Sequence, residues 1–299
     1  MTHDEMTAKI AAGQGFIAAL DQSGGSTPKA LRAYGVGDDE WEGEEEMFGK
    51  IHEMRTRIIT APSFNGDRVV GAILFEKTMD GTVDGTPVPQ ALIEKGVVPF
   101  LKIDKGLEDE SDGVQLMKPM PGLDDLLARA KALGVYGTKE RSVINAADPA
   151  GITAIVKQQF EVGRQVLAHG MMPILEPEYT VKSDDRAEGE IILRDEILKA
   201  LEELPEGEQV MLKLSIPVKP NTYKPLVDHP KVLKVVALSG GFSRDEACAE
   251  LAKNDGMIAS FSRALLDSLR AQMSDDEFDA ALDEAISAIY AASTQKVAA

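Results

Sequence analysis

The 299-residue sequence predicts an α/β protein with the (β/α)₈ TIM-barrel fold, built as a single domain with eight parallel strands. Eight short apolar runs rich in Val, Ile, Leu and Phe recur along the chain, as buried parallel strands do. Amphipathic, helix-like segments separate them, and alternation on this scale is typical of a parallel sheet. No break in composition marks a second domain, so we expect one domain over 1–299, with a frayed tail from about 293.

The first element of each predicted unit is a strand. The eight runs are 16–21, 69–75, 98–104, 139–145, 172–178, 210–215, 232–241 and 257–263. The fourth run is the least regular, because it is short and charged. A doubly wound sheet is the alternative fold, but it would need a Gly-rich nucleotide fingerprint after the first strand, and none is present.

Four of the intervening segments carry clear helix signals. They are 125–134, 152–170, 243–254 and 274–293. Ser243 with Glu246, and Ser274 with Glu277, have the spacing of capping boxes, in which side chain and backbone at a helix start bond reciprocally. These signals place helices after the third, fourth, seventh and eighth strands.

Composition excludes several classes of function. A formal net charge of −18 argues against non-specific nucleic-acid binding, which needs a basic surface. The single cysteine, Cys248, allows no intrachain disulfide, and the four histidines lack metal-ligand spacing, so we expect neither a metal nor a cofactor. The polar N-terminus is unlike a secretory signal, and no apolar run reaches the ~18 residues of a membrane span. We therefore expect a soluble cytoplasmic protein without a membrane or nucleic-acid partner.

The sixth run, "VMLKLS", contains a lysine that an apolar strand has no structural reason to hold. Side chains alternate between the two faces of a strand, so Lys213 lies opposite Val210, Leu212 and Leu214. Those three are purely apolar and should face the helices. Lys213 is therefore predicted to point into the barrel.

Charged residues on other strands share this arrangement. Within each run the residues of one parity are Ile17, Ala19 and Asp21; Phe100, Lys102 and Asp104; Lys139, Arg141 and Val143; and Met172, Ile174, Glu176 and Glu178. The charges lie near the C-terminal ends of their strands, except in the fourth strand, where they come early. Because barrel enzymes carry their sites at that end, these residues predict an active site.

The residue types indicate carbonyl chemistry on a phosphorylated substrate. A neutral lysine amine attacks a carbonyl carbon and forms a Schiff base, and Glu176 could shuttle the protons that imine formation requires. Lys139 and Arg141 could tune that carboxylate, with Asp21 as a second base. The Gly-rich turns "LSGG" (238–241) and "SGGS" (23–26), together with Arg263, are suited to phosphate, so we expect a bisphosphate.

Seven motifs together resemble the class I fructose-1,6-bisphosphate aldolase family in its bacterial form. They are "AALDQSGGS", "FLKIDKG", "TKERSVI", "PILEPE", "MLKLSIP", "LSGGFSRDEA" and "SFSRAL", and they follow in order from about 15 to 263. The resemblance implies reversible, metal-independent cleavage of fructose 1,6-bisphosphate to dihydroxyacetone phosphate and glyceraldehyde 3-phosphate, in glycolysis and gluconeogenesis.

The resemblance also implies roles for individual residues. Lys213 would form the Schiff base, Glu176 would move protons, Asp21 would take the C4 hydroxyl proton, and Lys139 would stabilise charge. The residues implied to bind the substrate and its phosphates are Ser23, Ser26, Lys102, Arg141, Glu178, Ser239, Gly240 and Arg263.

The chain departs from the animal pattern of this family, since it has no C-terminal tyrosine and its last tyrosine is Tyr290. The family often forms homo-oligomers, which is a possibility here too. Three other interpretations stay open at this point: a different Schiff-base barrel aldolase acting on another phosphorylated ketose or a keto acid, a metal-dependent barrel enzyme, and a binding protein built on a barrel.

Overall fold

The computed structural model describes residues 1–298 and shows the predicted (β/α)₈ barrel. Its eight parallel strands are β1 Phe16–Leu20, β2 Val69–Leu74, β3 Val98–Lys102, β4 Gly137–Ile144, β5 Met172–Tyr179, β6 Val210–Ser215, β7 Val232–Leu238 and β8 Ile258–Ala259. Each pairs with the next in chain order. The Ala19 amide then donates to the Phe261 carbonyl at 3.2 Å, which joins the last strand to the first. The fold-class prediction is confirmed.

Helices surround the strands. They are α1 His3–Ala12, α2 Ser26–Tyr34, α3 Gly43–Thr60, α4 Glu76–Met79, α5 Val88–Glu94, α6 Leu123–Ala132, α7 Pro149–Ala168, α8 Arg186–Glu202, α9 Lys224–Val227, α10 Arg244–Ala252, α11 Arg263–Leu266 and α12 Asp275–Thr294. Ser243 and Ser274 cap α10 and α12 through complete capping boxes, as their spacing predicts. Within residues 1–298, no helix has the length and apolar character needed to cross a bilayer.

The core has two apolar layers. A large outer layer lies between the strands and the helices, and a smaller one fills the barrel interior, where Ile17, Phe100 and Met211 meet. Met6 and Ile10 of α1 belong to the inner layer. The helix therefore closes one end of the barrel, and the C-terminal ends of the strands form the open mouth.

The charges of the fourth predicted strand come early in it because the strand continues beyond the mouth of the barrel. β4 begins at Gly137 and extends to Ile144, where it pairs antiparallel with the short strand Val114–Gln115. Lys139 lies opposite Lys102 of β3, and Arg141 lies opposite Glu176 of β5. Both charges are therefore level with the mouth, and it is the strand that continues past them.

The tail from about 293, for which the sequence predicts fraying, makes several hydrogen bonds to the barrel in the described residues. Ser293 is buried, and its hydroxyl accepts a hydrogen bond from the Ala259 amide at 3.0 Å. Lys296 Nζ donates to the carbonyls of Met257 and Ala292 at 2.6 and 2.9 Å, and the Val297 amide donates to the carbonyl of Ala252. These bonds satisfy carbonyls at the ends of α10 and α12, and they hold the tail against the barrel.

Candidate active site

A cavity of about 790 Å³ opens at the mouth of the barrel. All twelve predicted site residues line it: Asp21, Ser23, Ser26, Lys102, Lys139, Arg141, Glu176, Glu178, Lys213, Ser239, Gly240 and Arg263. Strands β3 to β6, and the segments that follow β1, β7 and β8, supply them. The predicted residues therefore share one site, although their individual roles remain predictions.

Lys213 points into the barrel, as the strand alternation predicts. It lies opposite the interior residue Val236 of β7, and only 4% of its surface is exposed. Its Nζ is 3.0 Å from Oε1 of Glu176, which is equally buried on the neighbouring strand β5. The amine and the carboxylate can therefore exchange a proton directly.

A second buried lysine, Lys139 of β4, lies among three carboxylates. Its Nζ is 2.7 Å from Glu176 Oε2, 2.9 Å from Asp21 Oδ2 and 3.9 Å from Asp104 Oδ2. Burial disfavours the charged amine, but these carboxylates outweigh it and raise the pKa of Lys139 far above its usual value. Lys139 is therefore a fixed positive charge, which makes it a poor nucleophile and a good electrostatic partner.

The two catalytic candidates Asp21 and Glu176 respond in the opposite direction. Burial would raise the pKa of each carboxyl group, but the charges of Lys139 and then Lys213 hold both pKa values below their usual range. Both groups are consequently ionised at neutral pH. Each can accept a proton from a substrate hydroxyl or from an amine.

Two turns at the mouth contain the residues predicted to bind phosphate. After β7, Gly240 and Gly241 adopt left-handed backbone angles, with φ of 58° and 113°. A Cβ at Gly240 would lie 2.3 Å from Val181 Cγ1, so only glycine fits there. After β1, the Ser26 hydroxyl accepts from the Ser23 amide at 2.9 Å at the start of α2. Both turns present small polar groups to the cavity.

Further charged groups line the mouth. Lys102 Nζ contacts Asp104 Oδ1 at 2.8 Å, and Arg141 forms an ion pair with Glu178. The Arg141 amide also donates to Asp104 Oδ2 at 3.2 Å. Asp104 therefore links β3 to β4 beside Lys139; the strand alternation predicts it at the mouth, although the sequence indicates no catalytic or binding role for it.

Sequence reasoning missed Gln22 and Arg55. Gln22 lines the cavity next to Asp21, and Arg55 of α3 donates hydrogen bonds to it from below. The available signal was that Arg55 falls between Ile51 and Ile58 on the apolar face of its helix, where a cation is unexpected.

Comparison with known proteins gives a consistent result. The family model described as fructose-bisphosphate aldolase class-I matches residues 3–234. Fructose-bisphosphate aldolase from Plasmodium falciparum, solved in a complex with TRAP and a small-molecule inhibitor, superimposes with a TM-score of 0.82 at 20% identity, over 99% of this chain and 96% of that one. A protein from Corynebacterium glutamicum superimposes with a TM-score of 0.54 at 15% identity, over 97% of this chain and 92% of that one. At these identities the two structures support the barrel fold.

Proposed function

The chain belongs to the class I fructose-bisphosphate aldolase family, and on that premise we propose which of its side chains cleave fructose 1,6-bisphosphate. The observation that carries the proposal is the contact between Lys213 Nζ and Glu176 Oε1 at 3.0 Å. It joins a buried amine to a buried proton acceptor. Lys139 stands behind that acceptor as a permanent cation, and Gly-rich turns suited to phosphate flank the pair.

Imine formation comes first. The Lys213 ammonium gives its proton to Glu176, and the neutral amine attacks the C2 carbonyl carbon of the ketose. A proton then passes from the attacking nitrogen to the carbonyl oxygen, which gives a neutral carbinolamine. Glu176 then returns a proton to the hydroxyl group, so that water leaves and a protonated imine remains. Lys139 keeps Glu176 ionised until it accepts the proton of Lys213.

Carbon–carbon cleavage follows at the protonated imine. Asp21 accepts the proton of the C4 hydroxyl group, and the electrons of the O–H bond form the new aldehyde carbonyl. The C3–C4 bond breaks, and its electron pair moves into the imine to give an enamine. Glyceraldehyde 3-phosphate leaves at this stage. Protonation of the enamine at C3 and hydrolysis of the imine then release dihydroxyacetone phosphate and regenerate Lys213.

The remaining site residues hold the substrate. Backbone N–H groups at Ser239 and Gly240, with the guanidinium of Arg263, are suited to one phosphate, because helix-entry turns and arginine forks both bind anions. Ser23 and Ser26 serve the second phosphate. The charged residues that meet the hydroxyl groups of the sugar are Lys102, Arg141 and Glu178.

The mechanism needs neither a metal nor a cofactor, because the protonated imine accepts the electrons of the breaking bond. Within residues 1–298, no three His, Cys, Asp or Glu side chains are grouped to hold a metal ion. We also propose a cytoplasmic location, a sugar phosphate as the small-molecule partner, and a homo-oligomer. Full activity after treatment with EDTA is expected, and loss of activity would contradict the metal-free mechanism.

A substrate comparison tests the assignment. Cleavage of fructose 1,6-bisphosphate and of fructose 1-phosphate should be measured with the unaltered protein and with Lys213→Met. We expect a higher kcat/KM for the bisphosphate, since the monophosphate leaves one turn empty, and no activity from a folded Lys213→Met protein. Equal kcat/KM values, or an active Lys213→Met variant, would contradict the proposal.

A further inference from the structure

The seam between β8 and β1 is the weakest junction of the barrel. β8 has two residues, and a single backbone hydrogen bond among residues 1–298, from the Ala19 amide to the Phe261 carbonyl, joins it to β1. The Ala259 amide bonds to the Ser293 side chain instead of to a strand. Yet this seam separates Asp21 and its phosphate turn from Arg263, and those groups must keep a fixed spacing.

A chain of side-chain hydrogen bonds crosses the seam where the backbone ladder is thin. Arg55 Nη2 donates to the Gln22 carbonyl at 2.6 Å and to Gln22 Oε1 at 3.1 Å. Gln22 Nε2 donates onward to Ser262 Oγ at 2.6 Å and to the Ala19 carbonyl at 3.1 Å. Arg55 Nη1 donates to Thr78 Oγ1 at 2.6 Å, on α4 after β2. The segments that follow β8, β1 and β2 are thus tied together.

Burying the Arg55 guanidinium carries a large desolvation cost. Its side chain is completely buried, and no carboxylate among residues 1–298 forms an ion pair with it. Burial lowers the pKa of Arg55 to about 10, opposed by the charge of Asp21. An apolar residue, like its neighbours Met54 and Ile58, would complete the helix face without that desolvation penalty. A structural role in α3 alone therefore does not account for the guanidinium.

We propose that Arg55, Gln22 and Ser262 form a positioning relay that holds Asp21 and the Ser23–Ser26 turn at a fixed distance from Arg263. The Gln22 carbonyl belongs to the residue directly after Asp21, so its bond to Arg55 sets the direction of the Asp21 side chain towards Lys139. The bond from Gln22 to Ser262 fixes the position of the residue directly before Arg263. The relay rests on the proposed function, since it acts on the proton acceptor for the C4 hydroxyl group and on the second phosphate.

Two single variants and the double variant that combines them test the relay. Arg55→Lys keeps the charge but loses the fork that reaches two acceptors, and Gln22→Ala removes the link to Ser262. The matched control is Arg68→Lys, just before β2 at the closed end of the barrel, where Arg68 binds Asp283 at 2.5 Å and the Ser287 hydroxyl at 2.9 Å. Measurements are kcat and KM for fructose 1,6-bisphosphate, and the rate at which borohydride traps dihydroxyacetone phosphate on Lys213.

We expect both relay variants to lower kcat by about 10-fold or more and to raise KM, because small displacements of catalytic groups have effects of this size. Trapping on Lys213 should change by less than about 2-fold, since it does not require Asp21. The double variant, Arg55→Lys with Gln22→Ala, should have the kcat of the less active single variant, because both changes break one network. Arg68→Lys should match the unaltered enzyme in every measurement.

Two results would overturn the relay. One is kcat and KM values within about 2-fold of the unaltered enzyme in both single variants. The other is a parallel fall in cleavage and trapping, which would mean that the bonds support the barrel as a whole. If Arg55→Lys does not fold, Gln22→Ala decides the matter by the same criteria. Absence of trapping on Lys213 in the unaltered enzyme would overturn the proposed function, and the relay with it.

Discussion

The inner and outer faces of β4 hold buried charged groups in opposite electrostatic surroundings. On the inner face, Lys139 contacts Glu176 and Asp21 and keeps both carboxyl pKa values low. On the outer face, the next residue, Glu140, is completely buried against α7. Burial raises the pKa of Glu140 well above its usual value, although a hydrogen bond from Thr138 at 3.1 Å opposes the shift.

The difference shows that the partner, and not burial, decides the state of a buried carboxyl group. Glu140 Oε1 has no hydrogen-bond partner among residues 1–298, and neither has the Oε1 atom of Gln159 in α7. A protonated Glu140 carries an O–H donor, whereas Glu140 Oε1 and Gln159 Oε1 would otherwise be two acceptors without a donor. The inner carboxylates are therefore ready to accept protons during catalysis, whereas Glu140 is a neutral acid that belongs to the core.

Replacing an inner carboxylate should have the largest effect. Glu176→Gln keeps the shape but removes the group that exchanges protons with Lys213. We expect kcat for fructose 1,6-bisphosphate cleavage to fall by about 10²–10⁴-fold, the usual contribution of a positioned acid or base. Steady-state kinetics measures this, with circular dichroism as the check on folding. A variant with near-normal kcat would show that another group performs the shuttle.

Removing the inner cation should reduce both activity and stability. Lys139→Met leaves Asp21 and Glu176 buried without their shared ammonium, which costs about 3–5 kcal/mol of unfolding free energy when a buried pair is broken. We expect kcat to fall by about 10²-fold or more, because the charges near the reacting carbons are no longer balanced. Urea denaturation at pH 7 and cleavage kinetics provide the two measurements.

The pH dependence of this variant has a definite sign. Because Lys139 lowers the folded-state pKa values of Asp21 and Glu176, its contribution to stability is present above their unfolded values of about 4 and is lost as pH falls. The difference in unfolding free energy between the unaltered protein and Lys139→Met should therefore shrink between pH 7 and pH 3. A difference that stays constant would contradict the ion-pair account.

Changing the outer carboxyl group should have the smallest effect, and in the favourable direction. The unfolded chain ionises Glu140 above about pH 4, whereas the folded protein keeps its proton, so stability falls as pH rises. Glu140→Gln removes that dependence and supplies a permanent donor. We expect Tm at pH 7 to rise by about 2 °C or more, with no gain near pH 4 and unchanged kcat. A lower Tm at pH 7 would indicate that Glu140 is ionised and paired.

The sequence was sufficient to predict the fold and the inward-facing charges, because both depend on periodicity. Alternation along β6 separates Lys213 from its apolar neighbours, and the same rule places Glu176 on the inner face of β5. The capping boxes at Ser243 and Ser274 predict helix starts for an equally local reason.

Contacts between distant segments could not be predicted in this way. Arg55 bonds to Gln22 because α3 packs against the segment that follows β1. No spacing in the sequence predicts that contact. Lys139 comes early in its strand because β4 extends past the mouth. The docking of Lys296 on the carbonyls of Met257 and Ala292 likewise depends on tertiary packing, so a short polar tail gave no sign of it.

The central claim is that Lys213, and not the equally buried Lys139, forms the Schiff base. It is tested most directly by treating the enzyme with borohydride in the presence of dihydroxyacetone phosphate and mapping the reduced adduct by peptide mass spectrometry. The account predicts irreversible inactivation with a single adduct on Lys213, since Lys139 is held as an ammonium by its carboxylates. An adduct on Lys139 or Lys102, or inactivation without any adduct, would contradict it.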